Sequence, residues 1–183
     1  MRAAEIADQL TDVLVTEEEI QAKLEELARQ VEADYEGKDL LLVGVLKGAV
    51  MVMADFARSL KRPMEMDWMA VSSYGAGTKS SGVVQIRKDL DTDISGKHVL
   101  IVEDIIDSGL TLSWLLENFA SRGAASIEVL ALLRKPEAAK VEIDCRYVGF
   151  DIPVEFVVGY GLDFAEKYRN LRDVAVLAPH VYS

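Results

Sequence analysis

Continuously apolar runs alternate along this chain with segments whose apolar residues recur every three or four positions. Thr16-Glu17-Glu18-Glu19 has the form of a capping box, and Ile20, Leu24, Leu27 and Val31 follow at helical spacing. They predict a first helix of about 18 residues, after an apolar lead-in over residues 1–15 to which the pattern assigns no structure. Residues 40–46 are an uninterrupted apolar run, as in a strand buried on both faces. Lys47-Gly48 breaks that run before a second helical pattern over about residues 49–60. Strands are expected over 63–72 and 83–87, and residues 73–82 between them have no apolar anchor and read as a mobile loop. Asp89-Leu90-Asp91-Thr92-Asp93 imitates a calcium loop but has Ile94 at the glycine position and Leu100 at the glutamate position, so it reads as a solvated turn.

The stretch from His98 to Thr111 changes character halfway and organises the rest. Val99-Leu100-Ile101-Val102 fits a buried parallel strand, expected to end near Glu103. A helical pattern through Leu112, Leu115, Leu116 and Phe119 follows, to about Arg122. Beyond it come a buried strand over 126–133 stopped by Lys135-Pro136, strands near 146–150 and 156–158, a short helical segment near 166–170 and a last strand over 174–177. Strands alternating with helices imply an α/β, doubly wound, mainly parallel sheet flanked by helices, in one domain over 1–183.

Where the central strand emerges, the adjacent carboxylates Glu103 and Asp104 are costly to desolvate, and ligands of open α/β sheets sit at the carboxyl ends of strands. Asp107-Ser108-Gly109-Leu110-Thr111 then supplies a glycine, two hydroxyls and a run of N–H groups at a helix start, a combination able to cradle a phosphate. Taken alone, the loop reads first as an ordinary capped βα turn with Ser108 or Asp107 as N-cap. Together, carboxylates suited to a vicinal diol beside a phosphate cradle describe a site for a ribose 5-phosphate. The loop has neither the Gly-Lys-Ser/Thr of a Walker loop nor the Gly-x-Gly-x-x-Gly of dinucleotide sites.

Composition narrows the classes. The chain has 183 residues, 50% hydrophobic and 28% charged, enough for one globular domain with a core. A net charge of −11 argues against broad binding to nucleic acid or anionic membranes. The single cysteine, Cys145, permits no intrachain disulfide and agrees with a reducing, cytoplasmic setting. The first residues carry acids where a signal peptide needs an apolar core, and residues 40–54 hold Lys47 at their centre and fall short of a membrane span.

The run Val102-Glu103-Asp104-Ile105-Ile106-Asp107-Ser108-Gly109-Leu110-Thr111 closely resembles the phosphoribosyl pyrophosphate signature of the type I phosphoribosyltransferases, in the wording of their hypoxanthine-guanine branch. The resemblance covers about residues 40–177 and implies that family's fold, with a small hood and a mobile loop. It implies roles residue by residue. Glu103, Asp104, Asp107, Ser108, Gly109, Leu110 and Thr111 would bind ribose 5-phosphate, with Asp107 catalytic at N7 of the base. Lys47 and Gly48, in a tripeptide that often holds a cis bond in the family, and Arg169 would bind pyrophosphate. Ser73 and Tyr74 would begin the closing loop. Lys135, Phe156, Val157 and Asp163 would bind the base, Lys135 at its O6 and Phe156 by stacking. Glu103, Asp104 and Asp163 would hold Mg2+.

The expected activity is purine salvage, with phosphoribosyl pyrophosphate and a purine base as substrates, in a homodimer or homotetramer. From the residues alone, Lys135-Pro136 reads first as a solvated turn and Phe156 as core, and Glu166 with Arg169 is alternatively a surface ion pair at helical spacing. Two rivals remain at this point. One is a nucleic-acid-binding regulator of the same fold, for which a basic face is missing. The other is a phosphoribosyltransferase for xanthine, adenine or a pyrimidine.

Overall fold

The computed structural model describes residues 1–73 and 84–183. Its core is a six-stranded sheet of β2 (Leu40–Leu46), β3 (Glu65–Ser73), β4 (Val84–Lys88), β5 (His98–Ile106), β6 (Ser126–Arg134) and β7 (Tyr147–Asp151). The strand order is β4-β3-β2-β5-β6-β7, parallel except for β4, which runs antiparallel to β3 at one edge.

Alternation along the central strands explains how both faces are covered. Leu40, Leu42, Leu100, Val102, Leu130 and Leu132 point to one face and pack with α1 (Glu17–Asp34) and α2 (Val50–Ser59). Leu41, Val43, Val99, Ile101, Val129 and Ala131 point to the other, beneath Leu112, Leu115 and Phe119 of α3 (Leu110–Ser121). The sheet is therefore doubly wound, as its continuously apolar strands predict.

Helix α1 begins as its sequence dictates. Glu19 N–H donates to Thr16 Oγ1 at 3.3 Å, and Thr16 N–H donates back to Glu19 Oε2 at 2.8 Å. Ile20, Leu24, Leu27 and Val31 are all buried.

A second, three-stranded antiparallel sheet forms a hood, in the order β1 (Leu10–Val15), β9 (Val174–Leu177), β8 (Val157–Val158). The lead-in supplies a 3-10 segment (Ala3–Gln9) and then β1, elements the sequence pattern leaves unassigned. Two expectations fail. Strand β5 continues past Glu103 to Ile106, because β6 runs beside it and pairs Glu103 with Ala131 and Ile105 with Leu133. No helix forms over 166–170, since Ala165, Glu166 and Tyr168 have φ of 50°, 63° and 75°, outside the right-handed region.

Candidate active site

The carboxyl end of β5 carries Glu103, at 8% exposure, into the interior and leaves Asp104 half-buried beside it. Burial pushes the Glu103 carboxyl well above its ordinary value, and the neighbouring Asp104 charge adds to the effect. Burial likewise pushes Asp104 up to about 6, against the lowering by N–H donors that include Ile105, at 2.8 Å, and by the Arg169 charge. Among the described residues neither acid forms an ion pair with a lysine or arginine. Such a pair requires donors or a cation from elsewhere.

Immediately after the strand, a cavity of about 140 Å³ is lined by Glu103, Ile105, Ile106, Asp107, Ser108, Gly109, Thr111 and Leu112. Gly109, with φ of 80°, is the N-cap of α3 and has no side chain with which to cap it. Neither Ser108 nor Asp107 takes that position, although Leu110 N–H lies 3.4 Å from Ser108 Oγ. The first-turn N–H groups of α3 thus end in the cavity with the positive end of the helix dipole, an arrangement suited to phosphate. The Ser108 carbonyl accepts from Lys140 and Val141 N–H at 2.9 and 3.2 Å, which fixes the loop from behind. A Cβ at Gly109 would press on the Val141 carbonyl at 2.7 Å, so glycine is required by contact as well as by φ.

Lys135 is buried at the end of β6, and its Nζ lies 3.3 Å from Asp107 Oδ2. Residues 28 apart in sequence thus share one corner of the site. Across from them, the Leu46–Lys47 peptide is cis, as the family resemblance implied. A Cβ on Gly48 would overlap the Asp104 carboxylate, so glycine is what lets this loop approach the acid.

The segment after β8 completes the ring. Arg169 pairs with Asp163 at 3.0 Å and with Glu166 at 3.2 Å, and it donates to the Gly161 carbonyl at 2.7 Å. Lys47 pairs with the same Glu166 at 2.8 Å. The expected Glu166–Arg169 pair exists, but a left-handed turn makes it rather than a helix.

Phe156 is 42% exposed, with ring centroids of Phe164 and Tyr182 at 5.9 and 5.1 Å. It is not the core residue its type suggests, whereas Val157 is buried and pairs with Val176 in the hood. Ser73 closes β3, and Tyr74 lies outside the described residues. Tyr182 has no site signature in the sequence beyond being an aromatic in a short C-terminal helix, α4 (Pro179–Tyr182).

For a divalent cation, Glu103 and Asp104 offer hard oxygen ligands in need of positive charge. Mg2+ usually takes one or two carboxylates and completes its shell with water and substrate oxygens. The donor set fits on that basis. The three acids expected to hold the ion do not form one cluster, however: among the described residues no group of three or more such ligands is gathered.

A parallel-sheet edge bearing a diol-suited acid pair, a phosphate cradle and opposed cations defines a site for a phosphorylated sugar. The family model described as phosphoribosyl transferase domain matches residues 11–165. The hypoxanthine-guanine phosphoribosyltransferase of Mycobacterium avium is 54% identical over 179 residues, covering 94% of this chain and 88% of that protein. That of Bacillus subtilis is 54% identical over 170 residues, covering 93% and 94%. The crystal structure of a hypoxanthine phosphoribosyltransferase from Staphylococcus aureus superposes with a TM-score of 0.94 at 48% identity, covering 98% and 97%. This chain belongs to the hypoxanthine-guanine phosphoribosyltransferases, enzymes of purine salvage.

Proposed function

We propose that the chain transfers the 5-phosphoribosyl group from phosphoribosyl pyrophosphate to N9 of hypoxanthine and of guanine, giving IMP or GMP and pyrophosphate. The observation that carries this reading is the adjacent acids Glu103 and Asp104, the first buried and the second half-buried, beside the Asp107–Thr111 cradle. Residues 107–111 hold the 5-phosphate through N–H groups and hydroxyls. Glu103 and Asp104 take the ribose hydroxyls and, with Asp163, the charge of Mg2+. When bound, that ion offsets negative charge on the departing pyrophosphate.

Lys47, Gly48 and Arg169 receive the pyrophosphate, the guanidinium as a planar fork. Lys135 donates to O6 of the base, Phe156 stacks on its ring, and backbone near Val157 and Asp163 meets its edge. As the C1–pyrophosphate bond breaks and the C1–N9 bond forms, Asp107 accepts or holds the N7 proton. Its 3.3 Å contact with Lys135 supports this, because one lysine then touches both the acid and the base's oxygen. Ser73 and Tyr74 begin a lid that keeps the cation-like sugar from water. The hood and core act as one domain, since Val15, Val157 and Val174 share the apolar cluster of α1. A cytoplasmic setting and a homodimer or homotetramer belong to the same proposal. No helix among the described residues is long and apolar enough to cross a membrane.

Nucleotide formation from each of hypoxanthine, guanine, xanthine, adenine and uracil, with Mg2+ and donor, tests the reading. Product from the first two alone is expected. Replacing Asp107 by asparagine should lower kcat by about 10²–10⁴-fold while leaving donor affinity nearly unchanged. Comparable turnover in that variant would remove Asp107 from the chemistry.

A further inference from the structure

The two cations assigned to pyrophosphate share one carboxylate, Glu166, and Arg169 pairs with Asp163 as well. Glu166 Oε2 lies 2.8 Å from Lys47 Nζ, and its Oε1 lies 3.2 Å from an Arg169 terminal nitrogen. Each oxygen engages a different cation, the pattern a phosphate group makes with two of its oxygens. The backbone is shaped for this contact: Ala165 and Glu166 are both left-handed, a conformation that residues with side chains rarely adopt, and Glu166 N–H donates to Asp163 Oδ2 at 2.9 Å. The Glu166 side chain is 64% exposed and can swing into solvent. Arg169 Nε, by contrast, is buried with no partner among the described residues, so this guanidinium keeps unused donor capacity.

We infer that Glu166 competes with pyrophosphate for these two cations and thereby sets how tightly the leaving group is held. This rests on the assignment of Lys47 and Arg169 to pyrophosphate. An incoming diphosphate needs the donors Glu166 occupies and meets its negative charge, so it must displace the carboxylate. After transfer, the carboxylate returns to the same two cations and competes the product off. Product departure is the slow step of many transferases, so an internal competitor favours turnover at the expense of affinity. The effect is modest, because ion pairs at exposed positions are weak and screened by salt.

Glu166→Gln keeps the side-chain shape and removes the charge. Calorimetric titration with magnesium pyrophosphate should give a Kd about two- to fivefold lower than wild type, with the difference shrinking at high salt. The constant for pyrophosphate as product inhibitor should fall by the same factor. Glu166→Ala should change both constants in the same direction. An unchanged or raised Kd in the variants overturns the inference, since it would mean that Glu166 merely holds the two cations in place for the ligand. A wild type that binds no pyrophosphate would instead remove the assignment of Lys47 and Arg169, and the inference with it.

Discussion

At the scale of single residues, the site stores an unfavourable arrangement. At the end of β5 Glu103 is buried and Asp104 half-buried, loss of solvent pushes both carboxyls up, and Asp104 is pushed up further by the Asp163 charge. The fold therefore bears a cost that the ribose hydroxyls and the cation proposed for this pair would relieve. Asp104→Asn keeps the Ile105 N–H contact and the fit against Gly48 while removing the charge. The unliganded variant should be more stable than wild type at pH 7.5 by about 1–3 kcal/mol, seen as a rise of a few degrees in Tm. The further rise in Tm that magnesium and phosphoribosyl pyrophosphate give the wild type should be lost, and kcat/KM should drop by at least about 10²-fold. A lower Tm for the unliganded variant would show that the pair is satisfied in the fold. This cost is legible in the sequence, because Glu-Asp after four buried residues has few structural explanations. Glu166 and Tyr182 are not legible in the same way. Each has an ordinary residue type in an ordinary place, and what distinguishes it is a neighbour more than 20 positions away.

At the scale of elements, the turn after β4 shows what a pattern reading can and cannot reach. The sequence gives a solvated acidic turn over 89–93, and the turn is there. Its anchor is Asp67 in β3, 4% exposed, whose Oδ2 accepts from Asp91 and Thr92 N–H at 2.9 and 2.8 Å and whose Oδ1 accepts from Trp68 N–H at 2.7 Å. Burial alone would push this carboxyl up, but the Thr92, Trp68 and Asp91 donors outweigh it and hold it below the ordinary 3.8. A carboxyl lowered in the folded state adds stability above its unfolded value and loses it as pH falls through the folded one. Asp67→Asn should therefore cost about 1–3 kcal/mol at pH 7, with a smaller gap to wild type at pH 3, in urea melts at both values. An equal gap at both pH values would assign the cost to packing alone. Strands β2, β5 and β6 and helix α1 were readable because each carries its own periodicity. In the hood, β8 and β9 were readable as the strands near 156–158 and over 174–177, but β1 was not, because its partner is β9, at the far end of the chain. The segment over 166–170 has helix-compatible residues, and tertiary contacts override that preference.

For the whole molecule, the hood is held over the sheet edge by apolar contacts and by polar ones, and one carboxylate joins it to both helices on that face. Asp55 of α2 accepts from Gln21 of α1 at 2.9 Å and from the Tyr160 hydroxyl of the hood at 2.6 Å. Tyr160 is buried between Gly159 and Gly161, and the Gly161 carbonyl accepts from Arg169. A Cβ on Gly161 would overlap the Gly48 carbonyl, so the hood loop rests directly on the loop expected to meet pyrophosphate. Hydrogen bonding to Asp55 therefore bears on where Arg169 stands, without Asp55 touching substrate. Asp55→Ala leaves the buried Tyr160 hydroxyl unpartnered and should cost about 1–3 kcal/mol of stability. If the connection also positions the pyrophosphate side, the variant should raise KM for phosphoribosyl pyrophosphate severalfold while KM for hypoxanthine changes little, because Lys135 and Asp107 stand on β6 and the β5–α3 loop. Steady-state kinetics with each substrate varied in turn separate the two effects, and Asp55→Asn, which keeps an acceptor for Tyr160, should recover most of the donor KM. Equal rises in both KM values would mean that Asp55 serves stability alone, and the hood would then owe its place over the site to the apolar contacts of Val15, Val157 and Val174.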